Sequence, residues 1–123
     1  MSTQEVADKL VSLCKDGKYD EAYELYADDA ISIEMPGMPG DEVTHGKEKI
    51  IDGYYEWANS IEEVHGGTVG EPVVAGNHFM LPMTSDATFK GQGRWKMEEL
   101  CLYQVENGKI KKAQFFYDVP DMG

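Results

Sequence analysis

Tyr26-Ala27-Asp28-Asp29-Ala30-Ile31-Ser32-Ile33-Glu34-Met35-Pro36-Gly37 lies between two amphipathic helical patterns and reads as a helix end, a turn and a short strand. Asp28-Asp29 stops the preceding helix, and Ile31-Ser32-Ile33-Glu34 alternates with the period of a strand. Ser32 and Glu34 share one face; Ile31 and Ile33 share the other. With the polar face turned inward, Glu34 is a carboxylate in low dielectric. Burial raises its pKa toward neutrality and suits it to acid or base work. With that face outward, Glu34 is an ordinary solvated carboxylate on an edge strand.

Upstream, Val6, Ala7, Leu10, Leu13 and Cys14 form one stripe at helical spacing and predict a helix over 4–15, with Ser2 or Thr3 as its cap and Gly17 at its end. Tyr19, Ala22, Tyr23 and Tyr26 continue the pattern and predict a second helix over 19–27. Downstream, two Pro and three Gly make residues 36–46 a loop, and Gly37, Pro39 and Gly40 suit it to act as a lid. Ile50, Tyr54, Trp57, Ala58 and Ile61 then give a strong face for a third helix over 47–63. From residue 64 the period changes to two, predicting strands near 67–75, 78–89, 94–105 and 109–118. Asn107-Gly108 is a hairpin turn, because this pair tolerates the positive φ such turns require. Pro82 inside a strand calls for an edge, a bulge or a bend.

Helices first and a strand meander afterwards predict a single α+β domain over 1–123, with helices packed on one face of an antiparallel sheet. The strand 94–105 carries Trp95, Met97, Cys101, Tyr103 and Val105 on one face, and Leu100 and Leu102 on the other. A sheet apolar on both faces needs a second cover, and a second copy of the chain is the simplest one. The expected assembly is a homodimer.

Composition narrows the partners. With 23 acidic and 11 basic side chains the net charge is −12. Such a chain repels phosphate backbones and anionic lipid, so neither nucleic acid nor membrane is expected as a partner. No apolar run approaches 18 residues and no basic-then-apolar start appears, so neither a span nor a signal peptide is expected. Cys14 and Cys101 read as buried free thiols in a reducing cytoplasm. His45, His78 and the third histidine, His65, are scattered, so neither a metal site nor a cofactor is expected.

The ordered set Tyr26-Ala27-Asp28-Asp29-Ala30, His45-Gly46-Lys47-Glu48-Lys49-Ile50, Glu106-Asn107-Gly108-Lys109-Ile110 and Phe115-Phe116-Tyr117-Asp118 resembles the nuclear transport factor 2-like superfamily. That superfamily includes steroid delta-isomerase, SnoaL-like polyketide cyclase and limonene epoxide hydrolase branches. The resemblance implies a cystatin-like α+β barrel: a cone in which a curved antiparallel sheet wraps three N-terminal helices around an apolar cavity. It also implies a dimer through the outer sheet face. Function transfers less readily, since one cone hosts isomerases, cyclases, hydrolases and non-catalytic binders.

Residue by residue, Glu34 falls where the steroid isomerases carry their general-base Asp, and Tyr26 and Tyr54 fall where they carry supporting tyrosines. Their oxyanion-donating Tyr corresponds to Leu10, and their protonated Asp to Cys101 or Leu100. Leu and Cys make no strong hydrogen bond to an enolate, so the usual steroid mechanism is not implied. The epoxide hydrolase set would need Arg where the chain has Thr84 or Pro82, and Asp where it has Phe115. Asp86 is its one possible match, and the register leaves open which of His78, Thr84 and Asp86 face inward.

The candidate catalytic residues are therefore Glu34 and Glu99. Glu99 shares a face with Met97 and Cys101, and a second carboxylate in one apolar interior would push the two pKa values apart. The alternative is that Glu98 and Glu99 straddle the strand, one of them at a wet rim. Tyr26, Tyr54, Trp57, Trp95, Met97, Cys101, Phe115 and Tyr117 are the candidate ligand-binding residues, with ordinary core packing as the alternative. Glu34 is expected within hydrogen-bond reach of Tyr26 or Tyr54. The expected function is binding of a small apolar molecule, with Glu34 as base on a carbonyl substrate; the alternative is a non-catalytic ligand-binding or dimerisation module.

Overall fold

Ser2 opens the first helix with a reciprocal cap. Its hydroxyl accepts from the Glu5 N–H at 3.1 Å, and the Glu5 carboxylate accepts from the Ser2 N–H at 3.0 Å. In this computed structural model, which describes residues 1–119, α1 spans Thr3–Lys15 and α2 Tyr19–Tyr23. They are followed by β1 (Tyr26–Ile33), β2 (Val43–His45) and α3 (Lys47–Asn59). The rest is strand: β3 (Ile61–Val69), β4 (Val73–Ala75), β5 (His78–Phe89), β6 (Gly93–Glu106) and β7 (Lys109–Phe116). The sheet runs β2-β1-β7-β6-β5-β3, with β4 also on β5. It is curved and open, and three helices accompany it, which is the expected α+β architecture.

Several boundaries differ from those the sequence suggests. The second helix stops at Tyr23 rather than 27, because the Leu25 carbonyl accepts from the Ile110 N–H at 2.8 Å and Tyr26 already pairs with Ile110. Asp28 and Asp29 are therefore exposed strand residues beside a bulge, not a helix stop. Within the loop expected over 36–46, Val43–His45 forms β2 and pairs with Ile31–Ile33. The third helix ends at Asn59, since Ile61 pairs with Phe89. The expected strand over 67–75 is two strands, β3 and β4. The sheet is also not wholly antiparallel: β1 runs parallel to β7.

Pro82 sits where β5 changes partner. Met83 pairs with Val69 of β3, Met80 pairs with Val73 of β4, and the Pro82 carbonyl accepts from the Gly70 N–H at 2.8 Å. In an extended strand the N–H and C=O of one residue point to the same edge. The missing donor of Pro82 thus faces the β3–β4 junction, where the ladder is already interrupted. At the Asn107-Gly108 turn both residues have positive φ, 52° and 75°, as the expected hairpin requires.

The core lies between α1 and the inner sheet face. Val6, Ala7, Leu10, Val11 and Cys14 of α1 join one buried cluster with Phe79, Leu81, Cys101, Tyr103, Val105, Ile110 and Ala113. Odd-numbered residues of β5 and β6 point inward, so His78, Thr84 and Asp86 all face away from the interior. Asp86 instead pairs with Arg94 through two hydrogen bonds of 2.9 and 2.7 Å. On the outer face Pro82 pairs with Leu100, and Leu100 with Phe116, making an apolar strip in which Leu100 is 45% and Phe116 39% exposed.

Candidate active site: a carboxylate pair inside an aromatic belt

The strand register brings the site together. Ser32 pairs with Ala113, and Ala113 with Tyr103, so the Ser32–Glu34 face of β1 is the inner face. Glu34 follows directly after β1, fixed there by its N–H donating to the Glu42 carbonyl at 2.8 Å. Cys101 pairs with Phe115 and Leu100 with Phe116. One further step in the same register brings Tyr117 toward Glu99. Glu34, Tyr117 and Glu99 thus meet from three neighbouring strands at one end of the inner face.

The Tyr117 hydroxyl donates to Glu34 Oε1 at 3.2 Å, and Tyr117 itself is only 7% exposed. Neither Tyr26 nor Tyr54 makes this bond, which corrects the expected partner. Tyr26 is buried with its ring 5.2 Å from Tyr23, and Tyr54 lies on α3 among other rings. Burial raises the Glu34 pKa, while the Tyr117 hydrogen bond opposes the rise by favouring the ionised form. Burial and the negative charge of Glu34 push Glu99 up to about 7. Glu98 is exposed on the opposite face of β6. Burial, then the Glu34 charge, also raises the Tyr117 hydroxyl.

A chain of neighbouring aromatic rings runs from α2 to Tyr117, and Trp57 within it is 39% exposed. Tyr23 and Tyr19 of α2 lie 5.2 and 5.9 Å from Tyr54, and Tyr54 lies 6.5 Å from Trp57. Trp57 is 6.1 Å from Phe89, Phe89 is 6.0 Å from Trp95, and Trp95 is 6.0 Å from Tyr117. The charge of Glu99 acts on Tyr19 and Tyr23 at one end of this belt and on Tyr117 at the other. Of the remaining candidates, Met97 is part-buried on the inner face of β6, and Phe115 packs edge-on to Tyr103 at 6.2 Å. Cys101 is fully buried, its thiol raised first by burial and then by Glu99; Cys14, raised to about 11 by burial, is also a free thiol. Tyr19, Tyr23 and Phe89 belong to the belt although the sequence reading gave them only to a helix stripe and a strand. The spacing of Tyr19 and Tyr23, four residues apart on one helix face, was the available signal. His45 and His78 are exposed. Among the described residues no group of His, Cys, Asp and Glu is arranged to hold a metal ion, and no helix is long and apolar enough to cross a membrane.

An open curved sheet over three helices is the architecture of the nuclear transport factor 2-like, cystatin-like class. The chain belongs to the SnoaL-like domain family, whose family model matches residues 1–117. A crystal structure of a Mesorhizobium loti protein named for its likeness to SnoaL polyketide cyclase is 41% identical over 95% of this chain and 100% of that one, with a TM-score of 0.87. A nuclear transport factor 2-like protein from Burkholderia thailandensis shares the fold at 16% identity, covering 96% and 92% of the two chains with a TM-score of 0.80. A cystatin-like protein of unknown function from Xanthomonas campestris does so at 13% identity, covering 99% and 95%, with a TM-score of 0.79. No curated protein matches the chain.

Proposed function

We propose that this chain binds a small molecule with a largely apolar body inside the belt and moves protons on a carbonyl group of that molecule. The observation that supports this is the pair itself: two interior carboxylates of unequal proton affinity, one of them held by a tyrosine hydroxyl. Tyr117 favours the ionised form of Glu34, which makes Glu34 the base. Glu99, near 7, carries a proton for much of the time at neutral pH and is the acid. In the step proposed, Glu34 takes the proton from the carbon beside the carbonyl while Glu99 donates its proton to the carbonyl oxygen, leaving a neutral enol. Where the molecule carries a β,γ double bond the enol is a dienol, so return of the proton held by Glu34 to the γ carbon completes an isomerisation while the enol O–H proton goes back to Glu99. The pair titrates as a unit, so the rate should rise as Glu34 ionises and fall as Glu99 loses its proton near pH 7.

A direct experiment follows the exchange of α-hydrogens of a panel of cyclic ketones and enones in deuterated buffer by NMR. The native protein should accelerate exchange for at least one member, and Glu34→Gln should reduce that acceleration by roughly 100-fold or more. Equal exchange with native protein and Glu34→Gln across the panel would leave the non-catalytic ligand-binding reading. That second reading draws on Leu10, and on Cys101 or Leu100, which the resemblance sets against the strong donors of the steroid isomerases and which make no strong hydrogen bond to an enolate.

A further inference from the structure

We infer that two copies of the chain pack their outer sheet faces together with β6 antiparallel to its counterpart, so that Lys112 of each copy meets Asp118 of the partner subunit. The strand register lays that face out in rows. His78, Gln104 and Lys112 pair across β5, β6 and β7, and the row runs on through Ile31 to His45. It holds no acid, in a chain of net charge −12. The next two rows carry the apolar surface: Met80 and Leu102, then Pro82, Leu100 and Phe116. Beyond them Thr84 pairs with Glu98. Asp118, exposed after buried Tyr117, continues the alternation of β7 one pair along from Leu100 and Phe116, beside Glu98. An acid-free row and an acidic row thus flank an apolar waist.

This layout selects one two-fold axis. A self-complementary contact between two faces has its axis in the plane of contact, and sheets packed with aligned strands leave two choices. An axis along the strands sets β5 against β7 of the other copy. It brings His78 against Lys112 of the partner subunit and Glu98 against Glu98 of the partner subunit. An axis across the strands, at the level of Cys101, opposes the rows in reverse order. Leu102 then meets Leu100 of the partner subunit, Gln104 meets Glu98 of the partner subunit, and Lys112 meets Asp118 of the partner subunit. Like charges opposed across an interface are costly, and opposite charges fix its register. Two further features favour the second axis. Among the described residues Lys112 has no ion-pair partner, whereas Lys15, Lys47, Arg94 and Lys111 each have one. A cavity of 30 Å³ also opens among His78, Leu102, Gln104, Lys112 and Gln114, with room for the end of a carboxylate.

Carbodiimide, which joins an amine to a carboxylate in direct contact, is the first probe. Along one extended chain Lys112 and Asp118 lie roughly 20 Å apart, so a link between them in the native protein reports contact between copies. Mass spectrometry of the linked peptides should find it. Sedimentation is the second measurement. Lys112→Glu and Asp118→Lys should each weaken the dimer by about tenfold or more. An equimolar mixture of the two variants should recover native association, because both contacts of the mixed dimer again join opposite charges. The link is read on the native protein, so it decides the matter even if a variant folds poorly. The outer face is separate from the carboxylate pair, and either reading can fail without the other. A native monomer at micromolar concentration, a dimer without the link, or a mixture no tighter than its components would overturn the inference. So would Lys112→Glu associating as tightly as the native protein or more so, which is the result an axis along the strands requires.

Discussion

Glu99 couples the site to stability. In an unfolded chain its carboxyl titrates near the ordinary value of 4.5, but in the fold burial and Glu34 raise it to about 7. The folded state therefore holds the proton more tightly. The resulting stabilisation is fully present below pH 4.5 and is lost as pH rises through about 7, so stability should fall across that window by an amount on the order of 3 kcal/mol. Urea unfolding of native protein and Glu99→Gln at several pH values measures this: the native curve should decline and the variant should decline less. Equal slopes would mean that Glu99 is not buried as described. The groups with lowered pKa, Glu5, Asp29 and Asp86, act at lower pH and do not obscure the window. Glu34 was legible in the sequence because its alternation with Ser32 fixed its face once any face was known to be inner. Its partner was not legible. Tyr117 lies 83 residues away, and only the parallel β1–β7 register brings the two together.

At the scale of elements, the signals that were local proved readable and those that depended on a partner did not. The Ser2 cap and the Asn107-Gly108 turn are determined by residues within a few positions, so the sequence showed both. Residues 24–27 continue a helical pattern, yet the Leu25 carbonyl accepts from the Ile110 N–H and Tyr26 pairs with Ile110, and strand pairing overrides the pattern. The same happens at Ile61, whose helical spacing loses to its pairing with Phe89. The cap offers a clean test of element stability. Ser2→Ala removes an acceptor for the Glu5 N–H and leaves Glu5 reaching back alone, and should cost about 1 kcal/mol. Thermal unfolding should show a small drop with no change in ligand binding, since α1 contributes only apolar residues beneath the site.

For the whole molecule, the outer sheet face carries the remaining unspent apolar surface. Pro82, Leu100 and Phe116 are neighbours across three strands, and Leu100 and Phe116 are substantially exposed. Since Leu100 is 45% and Phe116 39% exposed, covering what remains with a second copy contributes roughly 0.5–1.5 kcal/mol per side chain. We propose a homodimer through this face, and sedimentation at micromolar concentration should show one; Leu100→Asp should give monomers or aggregates. A native monomer would require another cover for the strip. The apolar outer face was legible in Leu100 and Leu102, whereas the openness of the sheet and its one parallel pair were not, since neither leaves a local trace. The account as a whole turns on one property, an interior carboxylate pair sharing a proton near neutrality. Carboxyl carbon NMR of glutamate-labelled protein, assigned with Glu34→Gln and Glu99→Gln, measures it directly. The account predicts that Glu99 titrates near pH 7 and that Glu34→Gln moves it downward. Titration of both carboxyls near 4.5, each unaffected by loss of the other, would contradict it.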